Sequence, residues 1–327
     1  MLEKGNDKSN ISTNKNTSKN DIQLDNTSNL LFDTDFRQII VIGYGKVAFE
    51  IVKYLKKCAQ SNEIGVEYIE YEKTKMSNII KYCIDQGVNY SVIHDKTLLG
   101  EKLASIKDKA LIVSAGNKFL FPASIIEKKN LVIINFHNAY LPYYPGRNAI
   151  TWAIWNNEKF VGATWHYVVA GVDAGDIIWQ RKIIIDENTK AYEAAGNVMK
   201  AALQGFEEIY PNLLKGNVAS YKQQKCEKMN YSWMLPNGGS ISIIEEPEKI
   251  YRLLRCFDYG LETVVGKVTI VDGCKEYEAI RYNVTDICNI GETVFENDWF
   301  HIPMNGRILN IKVRRSNLDS ESEIRPL

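Results

Sequence analysis

The sequence predicts an α/β protein: a Rossmann-like, mostly parallel sheet followed by a small β-barrel (OB-like) C-terminal domain. Three observations point there. From Arg37 to Phe136, short apolar runs alternate with segments whose apolar residues recur every three or four positions, the mark of strands joined by helices. The first run leads straight into Gly43-Tyr44-Gly45-Lys46-Val47-Ala48, a tight strand-to-helix turn. Beyond residue 240 several short strand-like runs follow one another, with Asp272-Gly273 as a hairpin turn between two of them.

Taken in order, residues 1–35 are rich in Asn, Ser, Lys and Asp and hold little that could offset ordering entropy, so they read as a disordered tail. "RQIIVIG" is a buried strand, and Val47, Ile51, Val52 and Leu55 give the next helix its apolar face. "IGVEYIEY" is a strand, and "KMSNIIKYCIDQG" is a helix that stops at Gly87. "YSVIH", "KALIVSA" and "LVIINF" are further strands, separated by helices over "LLGEKLASIK" and "PASIIEKK". After Phe136 the alternation breaks. "GATWHYVVA" and "DIIWQRKIII" are strands joined by "GVDAG", and a long helix spans Lys190 to Leu214, with Ala195, Val198, Ala202, Phe206, Ile209 and Leu213 on one face. The domain reading is therefore a catalytic unit over 36–214, a linker over 215–240 and a small β-domain over 241–327.

Composition narrows the function classes. Forty basic residues balance forty acidic ones, so there is no general basic excess for nucleic acid. No apolar run is long enough to span a bilayer, and the N-terminal stretch lacks the apolar core of a secretory signal. Six scattered cysteines without a C-x-x-C pair read as reduced thiols of a cytoplasmic protein, and no metal site is expected.

The Gly43-x-Gly45-x-x-Ala48 turn matches the dinucleotide fingerprint, with Glu70 as the acidic residue that would hold a ribose. Against it, only one strand–helix–strand unit carries a glycine loop. Any parallel sheet also needs a tight turn after its first strand.

The denser signal lies between Ile134 and Ile178. A strand end carries Asn135 and His137, Leu141-Pro142 and Gly146 follow, a second strand carries Gly162, Thr164 and His166, and a turn presents Asp173-Ala174-Gly175-Asp176. This ordered set resembles the formyltransferase family that uses N10-formyltetrahydrofolate, over about Arg37 to Leu214. The resemblance implies Asn135, His137 and Asp173 as the catalytic residues, with Asp173 preferred to Asp176. It implies N10-formyltetrahydrofolate as formyl donor, its ring held at Lys118, Phe119 and Leu120 on one loop and at Gly171 and Val172 on another. The chemistry is compatible: an Asn N–H suits an oxygen on which charge develops, and a His suits proton transfer. His166 is open between a core histidine and a part in the site; His94 and His301 read as structural.

The acceptor reading is a small-molecule or carrier-bound primary amine, at best a small amine or aminoacyl group of a natural-product or sugar pathway. The sequence departs from methionyl-tRNA formyltransferases in "YYPGRNAITW", which disfavours a nucleic-acid partner. Alternatives are an amino-sugar nucleotide or methionyl-tRNA acceptor, hydrolysis of the formyl-folate, an NAD-linked oxidoreductase and a non-catalytic binding module. A homodimer is allowed for, and no membrane partner is expected.

Overall fold

The computed structural model describes residues 27–31, 35–59, 64–71, 77–224, 229–261, 264–286 and 290–316. Strand β1 (Thr27–Leu31) is followed by a regular alternation: β2 (Gln38–Gly43), α1 (Gly45–Ala59), β3 (Gly65–Tyr71), α2 (Asn78–Gln86), β4 (Asn89–Ile93), α3 (Lys96–Ala104), β5 (Ala110–Ala115), α4 (Ala123–Ile126) and β6 (Leu131–His137). Next come α5 (Ala149–Trp155), β7 (Phe160–Tyr167), β8 (Ile177–Ile184), α6 (Ala191–Leu214) and β9 (Asn217–Tyr221). The order in the nine-stranded sheet is β1-β9-β8-β7-β6-β5-β2-β3-β4. The five strands from β6 to β4 run parallel, as the helical crossovers require, and the rest is an antiparallel extension.

The parallel strands are buried on both faces, which is why their sequences read as continuous apolar runs. In β2, Ile39 and Val41 point into a core with α1 and α6, whereas Ile40 and Ile42 point into a second core with Leu99 and Leu103 of α3. Helix ends follow their local chemistry. The Ser77 hydroxyl accepts from the Ile80 N–H at the start of α2, and Asp95 accepts from the N–H groups of Thr97 and Leu98 at the start of α3.

Two expectations are corrected here. Residues 1–35 are not one disordered tail, because Thr27–Leu31 pairs with β9 at the sheet edge; residues 1–26 and 32–34 lie outside the described residues. The expected linker over 215–240 contributes β9 itself, which Gly216 at φ 63° introduces directly after α6. Five residues of polar–apolar alternation were too short a signal against the surrounding polar sequence.

The C-terminal part comprises β10 (Ser240–Ser242), α7 (Pro247–Phe257), β11 (Thr269–Asp272), β12 (Lys275–Thr285), β13 (Val294–Glu296), β14 (Trp299–Met304) and β15 (Arg307–Arg315). Its sheet order is β10-β11-β12-β15-β14-β13. The expected OB-like barrel is not found: β10 and β13 are the two ends of an open sheet, and no pairing among the described residues closes it. Both end strands are three residues long, too short to build a closing ladder. Helix α7 packs on α5 and on β14, so one apolar core runs continuously from Phe36 to Val313. Among the described residues, no helix is long and apolar enough to cross a membrane.

Candidate active site

The carboxyl end of β6 meets β7 in antiparallel register: Asn135 lies opposite His166, Phe136 opposite Trp165, and His137 opposite Thr164. Because side chains alternate, Asn135, His137, Thr164 and His166 share one face and Phe136 and Trp165 share the other. The turn after β7 brings in Asp173. Its Oδ2 lies 3.4 Å from His137 Nδ1 and its Oδ1 3.5 Å from His166 Nε2. Asn135 Nδ2 is 3.1 Å from His166 Nε2, and Asn135 Oδ1 accepts a 2.7 Å hydrogen bond from the Ser114 hydroxyl. Asn135, His137 and Asp173 therefore gather in one cluster with His166, a buried member of that cluster. Asp173, not Asp176, is the carboxylate at the histidines.

Main-chain groups fix the proton positions. His137 Nε2 lies 2.9 Å from the Tyr144 carbonyl, which can only accept, so this nitrogen carries a proton. Any proton on Nδ1 then sits beside the Asp173 carboxylate. His166 Nδ1 lies 2.8 Å from the Tyr167 carbonyl and by the same logic is protonated, which leaves Nε2 to accept from Asn135 when the ring is neutral.

Asp173 adopts φ 50°, and its Oδ2 accepts a 2.8 Å hydrogen bond from the Gly146 N–H. Burial alone raises this carboxyl, but His137, His166 and the Gly146 N–H outweigh burial and hold it well below the usual carboxylate range. A folded-state value below the unfolded one means that ionised Asp173 adds stability above the ordinary Asp value of about 3.9. That stability is lost as pH falls through the depressed value. The urea midpoint of the parent is therefore expected to fall more steeply than that of Asp173→Asn as pH drops below about 4. Parallel pH profiles for the two proteins would show that Asp173 carries no such linkage.

The Gly162-x-Thr164 pattern has a mechanical reason. The segment after His137 crosses directly over β7, and a β-carbon at Gly162 would sit 2.3 Å from the Tyr140 nitrogen. Two positions on, Thr164 Oγ1 donates to the Ala139 carbonyl at 2.6 Å and accepts from the Leu141 N–H at 3.3 Å. Gln180 Nε2 donates to the Leu141 carbonyl at 2.6 Å. Gly162→Ala is expected to cost about 1–3 kcal/mol, because backbone has to move to admit the methyl group. Activity should fall with it as the loop shifts; an unchanged melting curve would contradict this.

The expected donor-binding residues divide. Leu120 and Val172 are exposed, at 75% and 43%, on the two loops that flank the cluster, and Lys118 and Gly171 are exposed as well. Phe119 is not available as a lining side chain: it is buried edge-on between Tyr71 and Phe121. Asn117 ties that loop to the cluster, donating to Ser114 Oγ and to the Phe119 carbonyl. The apolar rim of Leu120, Val169 and Val172 beside amide and hydroxyl groups fits a flat, hydrogen-bonding heterocycle.

The Gly43 turn does not have the form of a dinucleotide site. A β-carbon at Gly43 would lie 1.9 Å from the Ala115 carbonyl oxygen, so the glycine serves the close crossing of β2 and β5. Glu70 is fully buried and accepts from the Tyr68 hydroxyl at 2.9 Å, out of reach of a ribose.

His94 is exposed and His301 is bonded to Asn310, both away from the cluster. Ser114, Gln180, the Tyr144 carbonyl and the Gly146 N–H escaped sequence reasoning. Gly146 stood in the motif without its N–H role, and Ser114, a polar residue ending a buried strand, left a readable signal there.

Residues 54–209 match the formyl transferase family model. The chain is 30% identical over 188 residues to the methionyl-tRNA formyltransferase of Clostridioides difficile (strain 630), covering 56% of this chain and 60% of that one. It thus spans less than two thirds of the length of that curated relative. Its fold is similar to that of WlaRD, a sugar 3N-formyl transferase, with a TM-score of 0.63, 20% identity and coverage of 86% of this chain and 98% of the other. It is also similar to the N-formyltransferase from Helicobacter canadensis in complex with folinic acid and dTDP-3-aminofucose, with a TM-score of 0.65, 17% identity and coverage of 85% and 100%.

Proposed function

We propose, for a chain that belongs across residues 54–209 to the formyl transferase family, transfer of a formyl group from N10-formyltetrahydrofolate to a primary amine. The observation that carries this reading is the convergence of Asn135, His137 and Asp173 at the end of β6. The donor supplies an activated formyl carbon. The new N–C bond forms as the bond to the folate nitrogen breaks, and the amine proton passes to that nitrogen. Asn135, with its amide oriented by Ser114, donates to the formyl oxygen as negative charge develops there. His137 carries a proton to or from the reacting atoms, and Asp173 orients it and stabilises its charged form. Lys118, Leu120, Gly171 and Val172 border the donor ring.

The acceptor we favour is a small or carrier-bound amine. A neutral overall charge argues against tRNA, for which affinity rests on neutralising phosphates. An amino-sugar nucleotide is the second reading, and one observation favours it. Tyr231 and Trp233 stack at 4.6 Å between ring centroids, with Trp233 74% exposed. Their segment is bound to the loop after β6, whose Gly146 N–H donates to Asp173, through Asn230 N–H to the Pro145 carbonyl at 3.0 Å and Arg147 N–H to the Asn230 carbonyl at 2.8 Å. Stacking of a base on such a platform is worth about 1–3 kcal/mol.

The test incubates the protein with N10-formyltetrahydrofolate and a panel of aminoacyl thioesters, small amines, amino-sugar nucleotides and charged tRNA, and follows folate release and the formylated product. Turnover without any amine would replace transfer by hydrolysis. A thermal shift with NAD and none with a folate would overturn the family-based reading of the site.

A further inference from the structure

The segment Asn138–Tyr144 borders a cavity of about 200 Å³ that no member of the Asn135, His137, His166 and Asp173 cluster lines. Its walls include the rings of Tyr140, Tyr144 and Phe160, the small side chain of Ala153 on α5, and two charged groups, Glu158 and Lys182. Lys182 lies on β8 and is exposed. Its Nζ is 5.0 Å from the Tyr140 ring centroid and 4.8 Å from that of Phe160. Among the described residues it has no carboxylate partner. An ammonium held over two ring faces at the border of an aromatic cavity, with the lining carboxylate Glu158 accepting from the Tyr144 hydroxyl rather than paired to Lys182, presents a site for a carboxylate attached to an apolar body.

Tyr144 joins this cavity to the catalytic cluster. Its φ of 57° is uncommon for a bulky residue, and its side chain is clamped at the far end. The hydroxyl donates to Glu158 Oε1 at 2.7 Å and accepts from Asn156 Nδ2 at 2.9 Å. The carbonyl of the same residue accepts from His137 Nε2 at 2.9 Å. Ring and carbonyl belong to one short, conformationally restricted unit, so a displacement of the ring is carried to the imidazole.

We propose that this cavity is a second ligand site, for a small carboxylate with an aromatic or apolar body, and that its occupation is transmitted to His137 through Tyr144. The carboxylate pairs with Lys182, and the body lies among Tyr140, Phe160 and Ala153. The ligand acts on His137 to the extent that it binds differently to arrangements with the Tyr144 carbonyl on or off the imidazole.

The experiment titrates the full-length protein with phenylacetate and 3-phenylpropionate, with 2-phenylethanol as the uncharged control. Calorimetry reports binding, and the imidazole proton resonance of His137, assigned by its loss in His137→Gln, reports transmission. Neither readout requires formyl transfer, so a negative result is separable from failure of the transfer reading. The carboxylates are expected to bind, with 2-phenylethanol and the Lys182→Met variant each weakening binding by about tenfold or more. Ala153→Trp should abolish binding by filling the cavity. Lys182 is exposed, so its variant carries the test even if Ala153→Trp does not fold. The proposal is overturned by absence of carboxylate binding, by equal binding to Lys182→Met, or by binding that leaves the His137 resonance in place.

Discussion

Replacing Asn135 with alanine is expected to lower the rate of the proposed formyl transfer by about 100- to 1000-fold, the usual cost of losing a preorganised oxyanion donor, the role proposed for Asn135. The amide is preorganised because its oxygen is occupied: Asn135 Oδ1 accepts from Ser114, which leaves Nδ2 directed toward His166. The fold should tolerate the change. Asn135 is only half-buried, and Ser114 Oγ still accepts from the Asn117 amide at 3.3 Å, so the cost is confined to the Ser114 O–H, which loses its acceptor. Asn135→Asp sharpens the test, since it keeps the acceptor for Ser114 and removes the donor. Both variants should lose rate; Asn135→Asp should melt as the parent does, and Asn135→Ala should lose about 1–3 kcal/mol for the unsatisfied Ser114 hydroxyl. His137→Ala should cost about 100- to 10,000-fold by the same measurement, and the double variant should cost less than the product of the two because the groups act as a unit. Single-turnover release of tetrahydrofolate, with the parent as reference, checks all of these. Near-parental activity in both Asn135 variants would remove the residue from the reaction.

Asn135 also marks how far the sequence alone could be read. The strand that carries it opens on the apolar run Leu131–Ile134, and its place at the end of the strand–helix alternation reads as a buried parallel strand. Where β6 ends, the cluster must begin, so Asn135 and His137 were legible. Asp173 was legible only through its motif, because its left-handed backbone and the Gly146 N–H it accepts are tertiary facts. His166 could not be decided: its strand position is equally that of a core residue, and only the register opposite Asn135 places it. Helix α5 escaped because it is seven residues long and largely buried, which removes the polar face that periodicity needs. Strand β9 was hidden among polar residues for the opposite reason. The barrel expectation failed at its edges, since counting strand-like runs says nothing about whether the first and last of them meet.

The other large effect lies on the far face of the same two strands. Trp165→Ala is expected to destabilise the protein by about 3–5 kcal/mol, the range for removing a fully buried large aromatic. Trp165 has no exposed surface, its ring lies 5.6 Å from Phe136 and 5.5 Å from Phe206, and its Nε1–H donates to the Ala202 carbonyl at 2.8 Å. The hydrogen bond adds little to the loss, because the Ala202 carbonyl lies inside α6, where the helix supplies its own N–H partner. Most of the cost is the cavity. Against a typical net stability of about 5–15 kcal/mol, the variant should be near unfolding at 37 °C. Trp165→Phe keeps much of the volume and should lose less, which makes it the variant in which function can be followed. Trp165 packs on the residue directly opposite it, Phe136, and so fixes the register that sets Asn135 against His166 and His137 against Thr164. Trp165→Phe should therefore lose the proposed transfer rate while remaining folded, although Trp165 shares no face with Asn135, His137 and His166. Urea titration and rate measurement on the same samples separate the two effects. Full activity in a Trp165→Phe protein with a lowered urea midpoint would show that the register is held without the indole, and that the site depends on the loop contacts of Thr164 and Gln180 alone.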